Sequence, residues 1–124
     1  MIVGVGVDIV GIERFTRSIE RTPALVNRLF APSEREHRDG RPRTAGSLAA
    51  RFAAKEALIK AFGDSHDFRW HDMIVRADDE GNPAFVLTGT VSAMAERQGI
   101  GSVHLSISHD AGMACAFVVA ESAV

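Results

Sequence analysis

A single cysteine, Cys115 in the apolar run MACAFVVA, leaves this 124-residue chain no intramolecular disulfide. That usage fits a reducing compartment, and the expected location is the cytoplasm. No stretch approaches the roughly 20 apolar residues that a membrane-crossing helix needs. The opening MIVGVGVDIV has no basic lead-in and carries Asp8 inside its apolar run, so it reads as a buried strand and not as a signal peptide. A basic excess is missing too: 14 Lys and Arg against 16 Asp and Glu give a formal net charge of −2, which argues against a generic nucleic-acid binder. GVGVDIVG lacks the Gly-Lys-Ser/Thr ending of a P-loop and the third glycine of a dinucleotide fingerprint. Solenoid repeats and low-complexity tracts are also absent.

What is present is the composition of an ordered globular protein, 46% hydrophobic and 24% charged. The length predicts one domain over residues 1–124, small enough that oligomerisation would usefully cover apolar surface. The first strand is expected to end near Val10. A helix follows from Ile12 to Glu20 or Arg21, closed by Thr22-Pro23. Its apolar face carries Ile12, Phe15 and Ile19, and its opposite face Arg14, Arg17 and Arg21. A short helix is predicted over Leu25–Leu29 and another from Pro32-Ser33-Glu34, where serine can cap and proline suits the first turn. RDGRPRTAGS, without apolar periodicity, reads as a mobile basic loop. A long helix is expected from Gly46 or Ser47 to Phe62, stopped by Gly63. Two strands joined by a turn at Asp79–Pro83, a helix over Thr90–Gln98, and two final strands joined at Asp110–Gly112 complete the chain. The fold class predicted is α+β (α/β in the broad sense), with late antiparallel hairpins.

On a helical wheel the long helix has two apolar sides. Ala50, Ala54, Ala57 and Ala61 make a narrow stripe without bulk, able to lie very close to a sheet. Leu48, Phe52, Ile59 and Phe62 form a bulky arc with Lys55 projecting from its middle and Glu56 and Lys60 at its edge. Charges there need partners, because burying an unpaired ion is costly. Either Glu56 and Lys60 form an i,i+4 pair while Lys55 snorkels past its neighbours, or the three serve a ligand. Asp8 at the end of an apolar strand could be a turn or capping residue, and His109 beside Asp110 a simple strand-end histidine.

Taken in order, GVD near the start, FAPSE before the long helix, RFAAKEALIKAFG within it, DEGNPAFVLTG after it and SISHD near the end resemble the 4′-phosphopantetheinyl transferases, specifically the small holo-[acyl-carrier-protein] synthase group. The likeness covers nearly the whole chain and implies a fold with a long central helix packed on a largely antiparallel sheet. The activity it implies is Mg²⁺-dependent transfer of the 4′-phosphopantetheine arm of coenzyme A to a serine of apo acyl carrier protein, releasing adenosine 3′,5′-bisphosphate. Asp8 and Glu56 match the metal ligands, with Mn²⁺ an alternative to Mg²⁺, and Lys60 matches the lysine beside the pyrophosphate. Arg51, Lys55 and His109 match positions lining the coenzyme A site, and guanidinium chemistry adds Arg41 and Arg43 as candidates for its 3′-phosphate.

Larger members of the superfamily carry a second acid where this chain has Val10, so a water takes that place; that water and Glu56 remain rival candidates for the general base. The resemblance further implies a homotrimer with active sites between subunits, Asp8 and Glu56 from one and His109 from its neighbour. Arg14, Arg17 and Arg21 would then meet the acidic carrier protein. Neither a nucleic acid nor a membrane is an expected partner. Two rivals are another Mg²⁺-dependent phosphoryl-group enzyme and a binding module that keeps the fold without the chemistry. The presence of Asp8, Glu56, Lys60 and His109 together gives the second no support.

Overall fold

Alternation along the first ten residues puts Gly4, Gly6, Asp8 and Val10 on one side of a strand and Val3, Val5, Val7 and Ile9 on the other. In the computed structural model, which describes residues 1–64 and 66–124, this strand is β1 (Ile2–Gly11). It leads directly into α1 (Ile12–Arg21), followed by the short α2 (Ala24–Leu29) and α3 (Pro32–Arg35) and the long α4 (Ala45–Phe62). A 3₁₀ turn at Trp70–Asp72 introduces the β2 (Met73–Ala77) and β3 (Pro83–Leu87) hairpin. Then come α5 (Gly89–Arg97), β4 (Ile100–Asp110) and β5 (Met113–Ser122). β5 pairs antiparallel with both β1 and β4, so the main sheet runs β1-β5-β4, and β2 with β3 forms a separate antiparallel ribbon. The α+β class and the long helix on an antiparallel sheet are as predicted.

Glycine brings α4 and β1 together. A Cβ on Gly6 would overlap the Ala57 carbonyl oxygen and lie 2.7 Å from the Ala61 amide nitrogen, and one on Gly4 would overlap the Ala61 carbonyl. The alanine stripe supplies the matching lack of bulk, with Ala50, Ala54, Ala57 and Ala61 all buried against the sheet side of the core. Ten of the eighteen residues of α4 are buried, so the helix separates two hydrophobic regions. One holds Leu58, Met73, Val91 and Val118, and the other packs Phe30 and Leu48 around Phe15, whose ring lies 5.5 Å from that of Phe52. Full burial of each large apolar side chain contributes about 1.5–3 kcal/mol relative to exposure.

Local chemistry explains where α4 starts and stops. Thr44 Oγ1 accepts from the Ser47 N–H at 3.1 Å, so the helix begins at Ala45, slightly earlier than the sequence suggested. Gly63 closes it at φ 77°, donating its N–H to the Ile59 carbonyl at 3.0 Å. Ser33 does not cap α3; instead Glu34 Oε1 accepts from the Ala31 N–H at 3.0 Å, the reverse half of a capping box. The stretch read as a mobile loop carries its own backbone ladder, with the His37 N–H donating to the Arg41 carbonyl at 2.8 Å and the Arg43 N–H to the Arg35 carbonyl at 2.9 Å. Among the described residues no helix is long and apolar enough to cross a membrane.

Candidate active site

Because β1 alternates, the face that carries Gly4 and Gly6 also carries Asp8, and close packing sets that carboxylate beside the C-terminal half of α4. Lys60 Nζ donates to Asp8 Oδ1 at 3.1 Å and to the Val7 carbonyl at 2.9 Å. Glu56, one turn earlier on α4, is part-buried near them. Burial pushes its carboxyl above the usual range, the Asp8 charge pushes it further, and the Lys60 ammonium partly opposes both. The simple Glu56–Lys60 pair weighed from the sequence is not among the ion pairs of the described residues, since Lys60 turns to Asp8 instead.

Asp8 and Glu56 open onto a cavity of about 440 Å³ that is also lined by Val10, Arg14, Phe15, Ser18 and Phe52. Phe15 and Phe52 were read from the sequence only as apolar-face residues and Ser18 not at all, because helical periodicity gives no sign of which cavity a residue will line. Arg14 brings one end of the basic stripe to the rim of the acidic pair. Arg17 is held by Glu13 in an exposed i,i+4 bridge of 3.0 Å, and Arg21 is exposed in the last turn of α1.

The donor set suits a hard divalent cation. Two carboxylates of like charge, both part-buried, stand together with Lys60 bonded to Asp8 and Arg14 at the rim, and Val10 offers no third oxygen. Magnesium is commonly held by one or two carboxylates, with waters and phosphate oxygens completing the octahedron. No group of three or more histidine, cysteine or acidic residues that could hold a metal occurs among the described residues.

A second cavity, of about 520 Å³, lies on the other side of α4 and is lined by Thr44, Ser47, Arg51, Arg76 and His109. Arg51 donates to Ser47 Oγ at 2.7 Å, yet its Nε and that of Arg43 are buried with no hydrogen-bond partner among the described residues. Burial holds the Arg51 guanidinium below its usual range, and the Arg43 charge adds to this while Glu34 opposes it. Two crowded cations with unsatisfied donors form an arrangement that an anion would relieve. Arg43 and Arg76 also line an adjoining cavity of about 740 Å³ between the 36–43 segment and the β2–β3 turn. Arg76 was missed by the sequence reading, where it looked like one more polar residue on a strand.

Two expectations need correction. Lys55, expected at the coenzyme A site, is completely buried and donates to Glu34 Oε1 and the Leu29 carbonyl at 2.7 Å each and to the Trp70 carbonyl at 3.1 Å, so no donor is left for a ligand. It does not snorkel either. Burial lowers its affinity for the proton, with Glu34 opposing. Arg41, expected at a phosphate, is exposed and committed to Asp39 at 2.6 Å. The Arg41 N–H and guanidinium hold the Asp39 carboxyl below its usual range.

The structure therefore gathers Asp8, Glu56, Lys60 and Arg14 in one place, and Arg43, Arg51, Arg76 and His109 in another. Arg51 and Glu56 are five residues apart on α4, about 140° around the helix axis, which keeps the two groups on different sides.

A family model described as the 4′-phosphopantetheinyl transferase superfamily matches residues 4–118. A curated holo-[acyl-carrier-protein] synthase of Leifsonia xyli subsp. xyli is 57% identical over 121 residues, covering 98% of each chain. The crystal structure of the holo-[acyl-carrier-protein] synthase of Neisseria meningitidis superposes with a TM-score of 0.88 at 35% identity, over 98% of this chain and 100% of that one. A complex of the Chronobacterium ammoniagenes enzyme with coenzyme A gives 0.80 at 34% identity over 96% of each. On this similarity, the chain belongs to the holo-[acyl-carrier-protein] synthase family of the 4′-phosphopantetheinyl transferase superfamily.

Proposed function

We propose that residues 1–124 act as one transferase domain in the cytoplasm, moving 4′-phosphopantetheine from coenzyme A to a serine of apo acyl carrier protein with release of adenosine 3′,5′-bisphosphate. The observation that carries this reading is the Asp8–Glu56–Lys60 group at the edge of a cavity, in a chain of this family. Asp8 and Glu56 would hold Mg²⁺, or Mn²⁺ in its place, and when bound the cation neutralises charge on the pyrophosphate. Lys60 would lend its ammonium to the departing phosphate, and either Glu56, its carboxyl pushed up by burial and by Asp8, or a water standing beside Val10 would take the serine proton. Arg43, Arg51 and His109 would bind the nucleotide end of coenzyme A. Intact-mass spectrometry of apo carrier protein with coenzyme A and Mg²⁺ tests the reading. It expects a gain of one phosphopantetheine that EDTA abolishes; no gain with several folded apo carriers would overturn it.

A homotrimer with shared sites is supported by two features. The sheet face away from α4 leaves Val5, Val7, Ile9 and Phe117 about half exposed as one apolar patch, too extensive for a surface meant to face water. The split of the anion-binding and carboxylate groups around α4 suits a substrate held between subunits. Mixing Asp8→Ala with His109→Ala protein in equal amounts under exchange conditions should restore up to roughly a quarter of wild-type turnover, since about one interface in four then carries two intact halves. No recovery in verified mixed trimers would put the whole site in one subunit.

The basic stripe on α1 supplies the carrier surface, with Arg14 at the mouth of the Asp8–Glu56 cavity. Arg14→Glu should raise KM for carrier protein about 10-fold while moving KM for coenzyme A less than about 2-fold, because charge reversal at a docking surface acts on encounter with the acidic partner. Steady-state kinetics with each substrate varied in turn checks this, and equal shifts would sink the docking role.

A further inference from the structure

Glu34 and Lys55 are both fully buried, and their 2.7 Å ion pair joins five elements: α2, α3, α4, the 3₁₀ turn and β2. Lys55 spends its donors on Glu34, Leu29 and Trp70, while Glu34 Oε1 also accepts from the Ala31 N–H and Oε2 from the Val75 N–H, both at 3.0 Å. A pair of this kind is poor evidence for stability, since apolar residues of similar volume often serve as well. What it does supply is direction, because each bond fixes one backbone group against α4.

The segments so fixed lead to the anion-facing cavity. Val75 precedes Arg76. Glu34 precedes Arg35, whose carbonyl receives the Arg43 N–H at 2.9 Å, and the Glu36–Pro42 bridge extends that pairing. Arg51 stands one turn before Lys55 on α4. Three guanidinium groups of like charge, from three elements, thus converge on neighbouring cavities with the buried pair as their common anchor.

We propose that the Glu34–Lys55 pair is a positioning centre for coenzyme A binding: it sets the relative placement of Arg43, Arg51 and Arg76 and leaves the Asp8–Glu56 chemistry untouched. The inference rests on the transferase reading given above. Both residues act through the arginines and touch no substrate themselves.

The test is the double variant E34Q/K55M, which removes both charges at nearly constant volume, measured in the full-length protein beside wild type. KM for coenzyme A should rise about 10-fold or more, with kcat and KM for carrier protein within about 3-fold of wild type. Calorimetric binding of adenosine 3′,5′-bisphosphate without metal should weaken by a similar factor. Hydrogen exchange should speed up at the Arg43 and Val75 amides but not along the β1–β5 ladder. A folded double variant with unchanged affinity for both ligands, or one whose kcat falls while KM for coenzyme A stays fixed, overturns the inference. Exchange raised uniformly through the chain, the mark of a merely structural pair, does the same. Should the double variant fail to fold, E34Q alone is read by the same criteria. Inactive wild-type protein would instead overturn the transferase reading beneath the proposal, so the two failures are distinct.

Discussion

Glu56→Gln is expected to lower kcat/KM for carrier modification by about 10³-fold while leaving the melting temperature unchanged or slightly raised. The stability side follows from the sign of the carboxyl shift. Burial and the neighbouring Asp8 charge hold the Glu56 carboxyl above its free value, so its ionisation at neutral pH opposes folding, and the neutral amide removes that opposition. The activity side follows from charge. Asp8 with glutamine in place of Glu56 presents a single anion already paired with Lys60 at 3.1 Å, too little to attract a divalent cation. Half-activation should therefore require much more Mg²⁺. An anion retained at a cost to the fold is what a functional site looks like, and it separates Glu56 from a structural residue. Kinetics across a Mg²⁺ titration, with a thermal melt of the same sample, checks both halves; near-normal turnover would remove Glu56 from the site.

How much of this was legible beforehand depends on how local the determining physics is. Helix punctuation was readable because Pro23, Gly63 and the turn around Asp79–Pro83 act within a few residues. The alanine stripe was readable as a close-packing surface, but its counterpart, Gly4 and Gly6 on β1, was not paired with it, since nothing in the sequence states which strand a helix will cover. Lys55 shows the sharper limit. A lysine amid bulky apolar neighbours was correctly seen to need a partner, yet the partner was Glu34, 21 positions earlier, and the carbonyls of Leu29 and Trp70 completed its shell. Periodicity within one helix cannot identify a counter-ion on another element. The identity of the reaction came from the ordered motifs, while their division between two sides of α4 became visible only in three dimensions.

Gly6→Ala should be the most destabilising single methyl that can be added to β1, costing about 3–5 kcal/mol and lowering the melting temperature by roughly 10–20 °C. Gly6 is buried, and its added Cβ would run into the Ala57 carbonyl oxygen and come within 2.7 Å of the Ala61 amide nitrogen. Both are backbone atoms of α4, so no rotamer change relieves the overlap, and the helix must move off the sheet. That displacement reaches the site directly. Asp8 lies two residues along the same face, and lifting α4 separates it from Glu56 and Lys60, so turnover should fall even at temperatures where circular dichroism shows a folded protein. A control is available in Gly46→Ala, where the nearest neighbour, Ile12 Cγ2, lies 3.8 Å away and the new methyl should be neutral or favour the helix by up to about 1 kcal/mol. Adding Ala57→Gly to Gly6→Ala should not restore stability, because the obstruction is the carbonyl and not the alanine methyl. Recovery in that double variant would mean that side-chain bulk, not backbone clearance, sets the distance between α4 and β1.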